Sequence, residues 1–246
     1  MAIHKLSKAF YTNLHVEWPC PACGQLTLQI KQETLHDADT YESRKIWEEE
    51  WSQPDMLSGV FCCMAECYRP QCREVVVCSG TSGNEEDWDD TGLQYYRVYT
   101  PVNFVPPLNP FKIYEKCPAE ISEPLVASFS VYLAQPGSAA NLIRITVERL
   151  LTAIGVPELN DKGNRIFLHQ RIEKHLPGNY SGYARQLMAI KFLGNAGSHT
   201  YDEVKISDIE DAFEIMEYVV NDIFSERKES IEVLTKRLHD RFGKKE

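Results

Sequence analysis

The pattern of apolar and polar positions changes character about halfway along the 246-residue chain. Up to residue 100, β-branched, aromatic and other apolar residues come in short runs, several alternating with polar ones as half-buried strands do. Phe10-Tyr-Thr-Asn-Leu-His-Val16, Gln25-Leu-Thr-Leu-Gln-Ile30, Val60-Phe-Cys-Cys-Met-Ala-Glu66, Arg73-Glu-Val-Val-Val77 and Leu93-Gln-Tyr-Tyr-Arg-Val-Tyr99 are the predicted strands. The fourth is expected to end at the turn-forming Ser79-Gly80. The charged interval 31–58 reads as a loop with a short amphipathic helix bearing Trp47 and Trp51, and Thr81 to Asp90, with five acidic residues, reads as a solvated loop. Pro101, Pro106, Pro107 and Pro110 then rule out a continuous helix or a central strand and predict a connector.

Beyond the connector the period becomes helical. A first helix is predicted over Glu120 to Tyr132, stopped by Gln135-Pro-Gly137. Ser138 is the expected cap of the next, whose stripe of Leu142/Ile143, Val147, Leu150/Leu151 and Ile154 ends at Gly155 and Pro157. Residues 158–164 read as a loop, Ile166 to Leu176 as a helix, and another helix starts near Ser181. Ser207-Asp-Ile-Glu210 has the capping-box spacing, followed by the stripe Ile209, Ala212/Phe213, Met216, Val219/Val220 and Ile223. A sparser series, Ile231, Leu234 and Leu238, predicts a last helix that packs on the body or against a second copy. The expected class is therefore α+β: a zinc-ribbon-like β module over residues 1–100, a proline-rich connector over 101–119, and an antiparallel helical bundle over 120–246.

The eight cysteines change this picture most. Without an export signal, uneven and partly paired spacing favours metal binding over disulfides. Cys20-Pro-Ala-Cys23-Gly24 has the separation that brings two thiolates to one tetrahedral ion, and Cys67-Tyr-Arg-Pro-Gln-Cys72 follows a strand. Cys20, Cys23, Cys67 and Cys72 are thus the proposed ligands of a structural Zn²⁺, since four thiolates leave no open position for hydrolysis. Cys62 and Cys63 compete for the same role but face opposite sides of a strand; Cys78 and Cys117 read as buried free thiols.

The formal net charge of -10 disfavours a simple nucleic-acid clamp. It is unevenly spread, -9 over residues 1–130 and -1 over 131–246, so any nucleic-acid contact is expected on the carboxy-terminal half. No 18-residue apolar run or signal peptide is present, and the expectation is a cytoplasmic protein with no membrane segment.

Candidate chemistry concentrates in Tyr183 to His199. Helical spacing puts Lys191, Asn195 and His199 on one face. A metal-independent reaction on RNA would use His199 as acid or base, Lys191 to stabilise phosphate charge and Asn195 to orient, with Arg144 and Arg185 as auxiliaries. The structural alternative has Asn195 and His199 bonded to backbone while Gly194 and Gly197 permit tight helix packing. Ser138-Ala-Ala-Asn-Leu-Ile-Arg-Ile-Thr-Val-Glu-Arg-Leu-Leu151 and Lys191-Phe-Leu-Gly-Asn-Ala-Gly-Ser-His199 resemble the family called domain of unknown function 4145 (DUF4145), over roughly residues 120–224. That family looks distantly HEPN-like, and its members occur alone or fused to restriction-type nuclease components. The resemblance implies bacterial defence or stress biology, a homodimer, and a protein partner in a defence or nuclease system, with RNA or DNA left open. In active HEPN ribonucleases an arginine and a histidine are separated by four to six intervening residues. Here Lys191 stands for the arginine, with seven residues before His199. The expected function is an accessory or interaction module; the alternative is a metal-independent endoribonuclease acting through Lys191, Asn195 and His199.

Overall fold

A computed structural model of the protein describes residues 3–11, 15–199, 203–225 and 227–243, with the backbone alone at 89, 199 and 227–229. Its first half is an antiparallel sheet made of β1 (Phe10–Tyr11), β2 (Leu28–Ile30), β3 (His36–Asp39), β4 (Ser58–Cys67), β5 (Val75–Asp89) and β6 (Gly92–Val105). The strand order is β1-β6-β5-β4-β2, with β3 also paired to β4. Strict alternation along β4 buries Gly59, Phe61, Cys63, Ala65 and Cys67 and exposes Ser58, Val60, Cys62 and Met64. Phe10, Trp18, Phe61, Tyr99 and Phe104 meet edge to face or tilted beneath the sheet, with centroids 4.9–5.5 Å apart.

The sheet is larger than the pattern predicted. β5 does not stop at Ser79-Gly80 but continues through the acidic run to Asp89, turns, and returns as β6. The stretch from Thr81 to Asp90 is therefore mostly strand rather than loop. β6 also runs through Pro101, which pairs with Gly80 at a register irregularity. Proline is accommodated there because, among the described residues, β1 covers β6 only at Val98 and Tyr99 and no strand pairs along that edge of residue 101. The interval 31–58 holds both the expected short helix, α1 (Tyr41–Trp47), and the unforeseen β3. Arg97 on β6 spans the curl to β3, pairing with Asp37 at 2.6 Å and Asp39 at 2.9 Å. Gly59 leaves room for it, since a Cβ there would lie 2.5 Å from the guanidinium.

The second half contains α2 (Ala119–Val131), α3 (Pro136–Ala153), α4 (Leu168–His175), α5 (Ala184–His199), α6 (Ile206–Phe224) and α7 (Arg227–Phe242). Pro136 takes the first helical position of α3, where a missing N–H costs nothing, so Ser138 lies inside the first turn instead of capping it. The cap of α6 also differs from the expected box: the carboxylate of Asp208 accepts from the Lys205 amide at 2.8 Å. Glu210 is buried and accepts instead from the Ser7 hydroxyl at 2.6 Å. That bond belongs to an amino-terminal strap. Ile3 and Leu6 are buried, the Leu6 amide donates to Tyr132 Oη at 3.3 Å, and the His4 amide donates to the Pro110 carbonyl at 2.7 Å. The segment ties the helices to β1, and its Ile3 and Leu6 belong to the one apolar cluster that spans both halves. No helix among the described residues is long and apolar enough to cross a membrane.

Candidate metal centre and the polar line of the fifth helix

Cys20 and Cys23 lie in a tight turn before β2. The Gly24 amide closes it on the Cys20 carbonyl at 2.8 Å, and Gly24 has φ +68°, the left-handed region that a side chain disfavours. Cys67 is the last residue of β4, and its amide donates to the Glu74 carbonyl at 2.8 Å. Cys72 comes from a second turn, closed by Arg73 N–H on the Arg69 carbonyl at 3.2 Å. Arg73 occupies the place of Gly24 there, with φ +54° despite its side chain, and is tied down by an ion pair to Glu66, which Lys31 shares.

These four sulfurs all lie within 4.8 Å of one another. Cys20 and Cys72 are 3.6 Å apart, Cys23 and Cys67 3.9 Å. Four sulfurs about 2.3 Å from a tetrahedral ion would stand about 3.8 Å apart, so the spacing fits a bound metal ion. The thiols differ in environment. Burial pushes Cys20 up to about 12, whereas the Gln25 amide draws Cys23 down to about 6 against burial, with help from the Thr27 hydroxyl and Arg69. Thr27 Oγ1 also lies 3.1 Å from the Cys67 sulfur. Arg69, exposed beside Cys23, supplies a positive charge that favours the Cys23 thiolate. Thr27 and Arg69 were missed in the sequence; the only signal was their position in the two cysteine segments.

The remaining cysteines stand apart from this cluster. Cys62 is exposed on the outer face of β4. Cys63 faces inward and pairs in register with Cys78, both buried, and the hydrogen bond to Cys63, followed by burial, raises the Cys78 thiol. Cys117 is buried near the start of α2, where burial raises it to about 11.

The second predicted site is organised differently. Lys191, Asn195 and His199 do fall on one helix, α5, at four-residue intervals. Lys191 and Asn195 are half-buried, and the Lys191 ammonium lies over the neighbouring Phe192 ring at 4.3 Å. The side chain of His199 is outside the described residues. Arg144 of α3 pairs with Glu148 at 3.0 Å, as its spacing predicts, and Arg185 is exposed. Between the polar positions, Gly194 and Gly197 are buried against α3. A Cβ at Gly194 would lie 2.4 Å from Arg144 Cβ, and one at Gly197 would lie 2.5 Å from the Gly137 carbonyl oxygen. Both glycines thus serve close helix approach.

Together these features define a two-part protein: a curled antiparallel sheet with a four-cysteine, metal-competent end, strapped to a helical domain. Residues 127–241 match the family model Domain of unknown function (DUF4145), so the helical part carries the domain that its sequence resembles. Residues 8–107 match a second model, Domain of unknown function (DUF8608). No curated protein and no solved structure gives a match.

Proposed function

We propose that the protein is a non-catalytic interaction module, held at its amino-terminal end by a structural zinc ion and assembled as a homodimer. The packing of α5 on α3 carries this reading: the glycines that punctuate the polar line are filled by α3, and Arg144 is engaged by Glu148. Zinc is favoured because four thiolates at tetrahedral spacing close its coordination. The dimer is supported by α7, whose Ile231, Val233, Leu234, Leu238 and Phe242 are all exposed. A sixteen-residue helix without tertiary cover is marginal in water, and this one lies within the matched domain apart from its last residue. Following the DUF4145 resemblance, the module serves a bacterial defence or nucleic-acid-associated system. In the alternative reading it is a metal-independent endoribonuclease, favoured only by the shared helical face of Lys191, Asn195 and His199.

Light scattering on the purified full chain separates these ideas when combined with RNA incubation in EDTA. The expected results are a dimer that Leu234→Asp/Leu238→Asp converts to monomer, and intact RNA throughout. A wild-type monomer removes the dimer; cleavage abolished by His199→Ala removes the non-catalytic reading.

A further inference from the structure

Three of the four tryptophans are more than half exposed, and they lie in two segments of the amino-terminal half: Trp47 and Trp51 in the insertion around α1, Trp88 near the tip of the β5–β6 hairpin. Trp88 is 74% exposed. The structure brings the two segments together. Asn84 of β5 donates its side-chain amide to the Pro54 carbonyl at 2.7 Å, three residues after Trp51. Trp88 is two alternations beyond Asn84, on the same face of the ribbon. Leu93, opposite Trp88, is also exposed.

The surrounding charge has one sign. Residues 41–56 and 84–96 contain ten Asp and Glu against two basic residues, a net of -8 out of -10 for the chain. Both basic residues are engaged within the insertion: the Arg44 guanidinium donates to the Asp39 carbonyl at 2.9 Å, and the Lys45 ammonium lies over the Tyr41 ring at 4.4 Å. Exposed indoles are the best cation–π acceptors among side chains, and neighbouring carboxylates add ion pairs to the same cation. Nucleic acid is repelled by such a surface.

We propose that this distal end of the sheet, formed by Trp47, Trp51, Trp88 and the carboxylates around them, docks a lysine- and arginine-rich segment of a partner protein. The proposal deepens the interaction-module reading and rests on it. An extended basic segment would stack alternate cations on the indoles while its remaining cations meet Glu48, Glu49 and Glu86, the last on the Trp88 face of β5. Exposed Trp and acidic residues are used together here, so affinity depends on both and falls with salt.

The test uses the full chain and a fluorescein-labelled peptide of alternating lysine and arginine, read by anisotropy at low and high salt. Trp51→Ala and Trp88→Ala are each expected to weaken binding about fivefold or more, and Trp88→Phe to retain part of it. Glu86→Lys/Asp90→Lys should abolish binding, and a glutamate-rich peptide should not bind. Equal thermal midpoints for these exposed-site variants confirm that the fold is intact. Unchanged affinity in both tryptophan variants overturns the proposal in favour of diffuse charge attraction, and absence of peptide binding at low salt overturns it outright. RNA cleavage abolished by His199→Ala, with tryptophan-dependent peptide binding preserved, would remove the non-catalytic reading while leaving this surface standing.

Discussion

The cysteine cluster and the polar line of α5 were both read from spacing, yet only the first assembles groups that the rest of the chain does not otherwise use. Cys20 and Cys72 are 52 positions apart, and their sulfurs meet because a turn before β2 and a turn after β4 reach the same end of the sheet. Convergence from separate elements is costly to arrange without a ligand, since it places four sulfurs side by side. On α5, by contrast, Lys191 and Asn195 share a face simply because a helix repeats every 3.6 residues. The surrounding glycines point to the need for α3 to approach. Coincidence of spacing within one helix is therefore weaker evidence for a site than convergence between elements.

The sharpest way to break this comparison is to remove the metal. Structural zinc sites in small peptides contribute roughly 10–16 kcal/mol of binding free energy at neutral pH. The sheet here also has its own aromatic core, so chelation or Cys67→Ser is expected to cost it a smaller but still large amount, about 5 kcal/mol or more. Elemental analysis should find one zinc per chain. Thermal melting of the metal-free chain followed optically should then show an early transition in near-ultraviolet circular dichroism and tryptophan fluorescence while helical circular dichroism persists. A metal-free chain that melts identically to the purified protein would reduce the cluster to four neighbouring thiols.

The glycines test the other side. A Cβ at residue 197 would meet the Gly137 carbonyl oxygen at 2.5 Å and Ala140 Cβ at 2.8 Å. Overpacking of this kind costs about 1–3 kcal/mol, against a helix-propensity gain of up to about 1 kcal/mol from Gly to Ala. Gly197→Ala is thus expected to lower stability by about 1–2 kcal/mol, while Lys191→Ala stays within about 0.5 kcal/mol. Chemical denaturation measures both. The reverse order, with Gly197→Ala neutral and Lys191→Ala deleterious, would restore α5 as a site where side chains matter more than packing.

Much of this was legible where a local period governs. The stripes of α3 and α6 predicted buried Ile143, Val147, Leu150, Phe213 and Met216, and the cysteine spacing predicted which four sulfurs meet. What escaped was set by neighbours. The acidic second half of β5 extends beyond the packed core, so alternation of apolar residues does not mark it. Pro101 is tolerated because β1 is too short to cover it, a property of β1 rather than of Pro101. Glu210 looked like a cap until Ser7, 203 positions away, came within reach. The polar strand β3 is recognised only through Arg97, which needs Asp37 and Asp39 as partners.

A buried arginine gives the finest test of whether polar groups in the helical half are structural. Arg171 of α4 is 4% exposed and donates to the Glu148 carbonyl at 3.2 Å, the Val156 carbonyl at 3.0 Å and Thr152 Oγ1 at 2.8 Å. It thereby serves carbonyls at and just beyond the carboxy-terminal end of α3, where a cation is favoured. Arg171→Met is expected to cost about 2 kcal/mol through those orphaned acceptors. Thr152 in turn donates to Glu158 at 2.6 Å, and this bond, with the Arg171 and Arg165 charges, holds the Glu158 carboxyl below its ordinary value despite some opposing desolvation. Its folded pKa is therefore the lower one: its contribution is present above the unfolded value, near about 4.3, and is lost as pH falls through the folded value. Glu158→Gln should lower stability at neutral pH, leave it nearly unchanged well below about pH 4 where the carboxyl is already protonated, and so flatten the acid limb of the melting profile. An unaltered acid limb would mean that Glu158 is solvated independently of Arg171, and that the end of α3 is satisfied by the arginine alone.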